Sequence, residues 1–118
     1  MPTCPDCRVI HDGLKRLAEH NNIPVPGLKV ERSRDQNIRI VLPQWGIHYE
    51  NGRRTSFCIP EEELVRRAYR LAPLVVMVAE AAGRDVVHYG NTAAPNATTH
   101  YSNRLDRTVI DSFYWILI

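Results

Sequence analysis

Apolar residues recur at helical spacing in two stretches of the chain and alternate with polar ones in several others. From Cys7 to Asn21, Ile10, Leu14, Leu17 and Ala18 return every three or four positions, with Arg8, Asp12, Lys15, Arg16 and Glu19 between them. This predicts an amphipathic first helix. Asp6, or Thr3 if the helix begins earlier, supplies an N-terminal cap. Gly13 weakens the interior by about 1 kcal/mol relative to alanine, so the helix depends on docking. Asn21 and Asn22 end it, and Pro24 and Pro26 prevent its continuation.

Leu28 to Arg34 and Asn37 to Leu42 read as two strands around a polar turn at Asp35-Gln36. Ile38, Ile40 and Leu42 share one face, and Pro43 limits the second strand or sets it at an edge. Trp45 to Glu50 and Arg53 to Ile59 flank Asn51-Gly52, the pair that forms type I′ hairpin turns. That turn predicts the pairs Glu50–Arg53, Tyr49–Arg54, His48–Thr55, Ile47–Ser56 and Trp45–Cys58, which sets Cys58 beside Trp45.

Pro60 and the carboxylates Glu61, Glu62 and Glu63 open a second helix, where proline and negative charge are both favoured. Leu64, Ala68, Leu71 and Val75 trace its apolar stripe. Pro73 predicts a kink or a split near Ala72. Leu74 to Ala82 is apolar nearly all round, as expected of the most buried helix, and Gly83 caps it. Asp85 to Tyr89 reads as a short strand and Gly90 to Thr99 as a loop. Thr108 to Ile118 is apolar on both faces, which predicts a strand buried on both sides and able to pair across a homodimer interface.

These elements make a single α+β domain over residues 1–118: an N-terminal helix, an antiparallel four-strand meander, a long kinked helix and one or two C-terminal strands. The order helix–strands–helix resembles that of double-stranded-RNA-binding domains. That family's basic helix start and glycine-proline-histidine pattern are missing, so the resemblance carries no residue over.

Composition narrows the setting. The chain has 118 residues, 44% apolar and 24% charged, the balance of an ordinary globular domain. No apolar run approaches the roughly 20 residues of a membrane helix, and the N-terminus does not read as a secretory signal. The chain is therefore expected to have no membrane partner, and three cysteines, an odd count, argue against a disulfide framework and for a reducing, cytoplasmic setting. The net charge of +2 does not by itself announce a nucleic-acid binder. Of the 15 basic residues, however, only Lys15 and Lys29 are lysine. Arginine suits phosphates, carboxylates and aromatic faces better than lysine does. A codon bias toward G and C produces the same surplus.

Three constellations carry candidate chemistry. Cys4 and Cys7 frame a Pro-Asp pair, and His11 follows Cys7 by one helical turn. With Cys58 as fourth ligand these side chains would hold a structural zinc ion, the only cofactor the sequence suggests. A redox reading fits less well, because too few residues precede Cys4 to form the strand such sites follow. Ordinary thiols, with Cys58 in the core, are the plainer account.

The string His-Tyr-x-Asn occurs at His48, His88 and His100. Each copy suits the end of a strand, with Asn starting the turn. Gathered at one rim, the three histidines would serve as acid and base in a small phosphodiesterase or nuclease. Nothing else in the sequence completes a catalytic set.

Arg66, Arg67 and Arg70 on the second helix, Arg53 and Arg54 beside the hairpin turn, and Arg32, Arg34 and Arg39 around the first strand pair, interleaved with Tyr49, Tyr69 and Tyr101, form the third constellation. Such a surface suits phosphate backbone or an acidic protein. Glu61 to Glu63 are also spaced to pair with Arg66 and Arg67, which would make a solvated, salt-bridged face. The sequence therefore favours a non-catalytic binding module for nucleic acid or an acidic protein surface. A stoichiometric inhibitor or adaptor of the kind encoded by mobile elements is the nearest alternative, and the histidine enzyme is the opposing class.

Overall fold

The chain is seen in a computed structural model that describes residues 5–43, 47–50, 53–57, 61–87, 95–103 and 107–118. For 43, 47–50, 53–57, 61, 64, 100, 102, 107–109 and 111, only the backbone is described. The elements in chain order are α1 (Pro5–His20), β1 (Lys29–Arg32), β2 (Ile38–Pro43), β3 (Ile47–Glu50), β4 (Arg53–Phe57), α2 (Glu61–Ala81), β5 (Asn96–Ser102) and β6 (Arg107–Leu117).

The α+β class holds, with four antiparallel strands in one sheet. Those four strands are not consecutive. The order is β1-β2-β6-β5, while β3 and β4 form a separate two-stranded sheet. β2 is joined on its far side by the C-terminal strand, because the apolar faces of the two match. Ile38 stands opposite Leu117, Ile40 opposite Trp115 and Leu42 opposite Phe113. All six side chains are buried. Fully burying a side chain of this size contributes roughly 1.5–3 kcal/mol, so the central pair is the main reason the sheet forms.

Both helices bury their apolar stripes against that same face. α1 contributes Cys7, Ile10, Leu14 and Ala18, and α2 contributes Ala68, Leu71, Ala72, Val75, Val78 and Ala79. The alternation in β2 and β6 turns Arg39, Val41, Ser112, Tyr114 and Ile116 to the other side, where all five are half-exposed. The last strand is thus buried on one face and not on both as expected. Over Ser112 to Leu117 it is also paired with β2, and its other edge carries β5 and then Asp85 to Val87. No edge remains along that stretch for a second copy. The expected dimer through the C-terminal strand therefore has no free edge to use over those residues.

β5 begins at Asn96, inside the stretch expected to be loop. Its ladder with β6 contains a bulge: Thr98 faces Ser112 and Thr99 faces Ile110, so Asp111 is the additional residue. An additional residue reverses the in–out parity of the strand. Ile110 therefore shares the buried face with Phe113, Trp115 and Leu117 despite its even number.

A second bulge corrects the hairpin register. Glu50–Arg53 and Tyr49–Arg54 pair as expected, but His48 then faces Ser56 and Ile47 faces Phe57. Thr55 is the additional residue, and beyond it each pair differs by one from the expected one. The proposed Trp45–Cys58 pair lies outside the described residues.

Helix ends follow local chemistry. Asn22 has φ 57° and Gly83 φ 70°, both in the left-handed region. The next amide reaches back in each case: Ile23 N–H donates to the Ala18 carbonyl at 2.9 Å, and Arg84 N–H to the Ala79 carbonyl at 2.8 Å. These are Schellman caps. Pro73 does not split α2, which is one helix from Glu61 to Ala81. The proline is exposed, so the hydrogen bond it cannot donate is lost on the solvent side. Nor is the second half of α2 buried all round, since Met77 is 52% exposed.

Candidate functional site

The cysteine–histidine stretch comes first. Asp6 lies in the first turn of α1, and Cys7 and His11 are one turn apart. Cys7 is 5% exposed and belongs to the core. It nevertheless borders a shallow cleft of about 330 Å³, lined also by Arg8, His11, Asp12 and Val30. Within the cleft His11 Nδ1 lies 3.0 Å from Asp12 Oδ1, and Arg8 Nε lies 3.9 Å from Asp12 Oδ2. The hydrogen bond from His11, aided by the charges of His11, Arg8 and Arg16, holds the Asp12 carboxyl below its ordinary pKa. Among the described residues, no three His, Cys, Asp or Glu side chains are arranged to hold a metal ion. Cys4 and Cys58 lie outside those residues.

Asp6 does more than begin a helix. Its Oδ2 lies 3.4 Å from Arg32 Nη2, at the end of β1, and 3.3 Å from Arg84 Nη2, just past α2. One carboxylate thereby ties three elements together. Neither contact with Asp6 was visible in the sequence, because the partners are 26 and 78 residues from it.

The helix arginines are largely engaged within the chain. Arg66 Nη1 donates to Glu63 Oε2 at 2.9 Å, and Arg67 Nε to Glu63 Oε1 at 3.4 Å. Arg70 Nη2 donates to the Asn21 carbonyl at 3.1 Å and so holds α2 to the end of α1. Tyr69 is 54% exposed. Tyr49, Arg53 and Arg54 lie in the hairpin, where only the backbone is described. His48 and His100 are likewise known by backbone alone, in β3 and β5, which belong to different sheets. His88 lies outside the described residues.

The second candidate surface is the sheet face turned away from the helices. There the Arg39 guanidinium lies over the Tyr114 ring, 4.7 Å from its centroid, a cation–π contact. Glu31 faces Arg39 across the ladder, yet among the described residues no ion pair joins them. Lys29, Val41, Tyr114 and Asn96 form the next row, followed by Ser112 and Thr98. The hydroxyls of Ser112 and Thr98 are hydrogen-bonded at 2.7 Å. The alternation of β2 already points Arg39 outward. Tyr114 was hidden, because nothing local shows that β6 lies beside β2.

Comparison with protein families, with curated proteins and with solved structures finds no match for this chain. Among the described residues no helix is long and apolar enough to cross a membrane.

Proposed function

We propose that this chain is a non-catalytic binding module for an anionic partner, in the first place single-stranded nucleic acid. The observation that carries this reading is the Arg39–Tyr114 stack on the half-exposed sheet face. A guanidinium held over an aromatic ring places cationic charge and an aromatic surface side by side, where a base can stack. Its N–H groups can donate to phosphate at the same time. Arg66 and Arg67 serve this role less well, because both already donate to the Glu63 carboxylate.

The test is binding of fluorescent single-stranded DNA and RNA oligonucleotides at rising salt. Affinity should fall steeply with salt, by counterion release. Arg39→Ala and Tyr114→Ala should each weaken it by about tenfold or more, the range expected for a lost stacking contact of roughly 1–3 kcal/mol. Absence of binding at low salt, or binding indifferent to both substitutions, would sink the proposal. Binding of a poly-glutamate peptide instead would point to an acidic protein surface.

A structural zinc ion on Cys4, Cys7, His11 and Cys58 is a separate proposal, supported by the cleft that Cys7 and His11 share. Metal analysis of protein purified without chelator tests it. Cys7→Ser should lower the zinc content, and metal-free wild-type protein would end the idea.

A further inference from the structure

The open face of the sheet carries a second polar feature, one step along β6 from the Arg39–Tyr114 stack. Side chains alternate between faces, so the next outward residue before Tyr114 is Ser112, about 6.8 Å away at 3.4 Å per residue. It stands opposite Thr98, and the two hydroxyl oxygens lie 2.7 Å apart. In such a couple one O–H donates to the other oxygen. The second O–H is still able to donate, and lone pairs remain to accept. Thr98 is exposed and Ser112 half-exposed, so the couple can be reached from outside.

Charge gives this face a direction. Glu31 and Arg39 lie in the row on one side of Tyr114, and the hydroxyl couple lies in the row on the other. Lys29 stands in the row of Tyr114 itself, and neither that row nor the couple's holds a carboxylate among the described residues. A polyanion stacked at Tyr114 meets a negative charge toward Glu31 and none toward Ser112. Its sugar-phosphate chain is therefore favoured on the side of the hydroxyls.

We propose that the Thr98–Ser112 couple binds the ribose 2′-hydroxyl of a nucleotide stacked at Tyr114, so that the partner is single-stranded RNA and not DNA. This rests on the stacking site put forward under the proposed function. The step from Tyr114 to the couple is comparable to the offset between a base and its own sugar. A 2′-hydroxyl both donates and accepts, which is what the couple offers. A phosphate only accepts and is better met by Arg39. DNA has no group at that position to replace the water on the two hydroxyls.

Binding of three oligonucleotides of one sequence, built from adenine and cytosine only so that the bases are identical, tests the proposal. RNA should bind wild-type protein about fivefold or more tightly than DNA, the size expected of one or two net hydrogen bonds. The 2′-O-methyl RNA, whose sugar oxygen cannot donate, should bind no better than DNA. Thr98→Val with Ser112→Ala removes both hydroxyls and strands neither, and should bring the RNA-to-DNA ratio to about one with unchanged circular dichroism. The wild-type series decides by itself if that variant does not fold. Equal affinity for RNA and DNA, 2′-O-methyl RNA binding as RNA does, or a preference that the double variant keeps overturns this inference. In those cases binding that still depends on Arg39 and Tyr114 leaves the stacking site standing. No binding of any of the three removes the stacking site and this inference with it.

Discussion

The carboxylate of Asp6 lies 3.3 Å from the guanidinium of Arg84, a residue 78 positions away in the chain. The same oxygen reaches Arg32 at 3.4 Å. Asp6 is 55% exposed at its side chain but Arg84 only 18%, so this junction is less screened than an isolated surface pair. Asp6→Asn should lower stability by about 1 kcal/mol, with a smaller loss at high salt. Urea unfolding of Asp6→Asn, Arg84→Gln and the double variant would measure the coupling. A coupling indistinguishable from zero would show that the contact contributes nothing.

Gly13 sits inside α1, where a Cβ would meet Val78 Cγ1 at 3.6 Å, an ordinary van der Waals contact. Glycine costs about 1 kcal/mol against alanine in a helix interior, and here the added methyl fits. Gly13→Ala should therefore stabilise the protein by about 0.5–1 kcal/mol, seen as a higher urea midpoint with an unchanged slope. Gly13→Leu should destabilise it, because the larger side chain meets α2.

Gly83 is the opposite case. Nothing lies within 4 Å of a Cβ built there, but its φ is 70°. Space is available and conformation is not. Gly83→Ala should cost about 1 kcal/mol through the left-handed backbone alone, and Gly83→Asn should cost less. Equal losses for the two variants in thermal unfolding would refute the backbone explanation.

The hydrogen bond from His11 to Asp12 has a sign that pH can read. It depresses the Asp12 pKa, so whatever stability it brings is fully present above the unfolded carboxyl's pKa. That contribution is lost as pH falls through the lowered folded value. His11→Ala should move the Asp12 carboxyl titration upward in NMR, with other carboxyls unaffected. An unmoved titration would mean that the two side chains do not interact in solution.

Much of the fold was legible because its signals are local. The stripe of α1, the shared face of Ile38, Ile40 and Leu42, the first pairs of the hairpin and the glycine cap of α2 all depend on residues within one or two turns. The two bulges were not legible. A single additional residue, Thr55 or Asp111, changes the register without changing composition. Pro73 predicts a kink or a split because proline removes a hydrogen bond; the helix runs on through it because its exposed position makes that loss tolerable.

The candidate sites divide along the same line. The Cys7–His11 spacing and the Glu63–Arg66–Arg67 pairing follow from helical periodicity, so the sequence by itself determined that those side chains would be neighbours. It also determined which face of β2 would be buried. Only the tertiary structure decided that β6 lies beside β2, with Tyr114 under Arg39, and that Asp6 reaches Arg32 and Arg84. Strand order and long-range ion pairs result from packing all the apolar faces at once. No window of the chain contains both partners, so no local pattern records them.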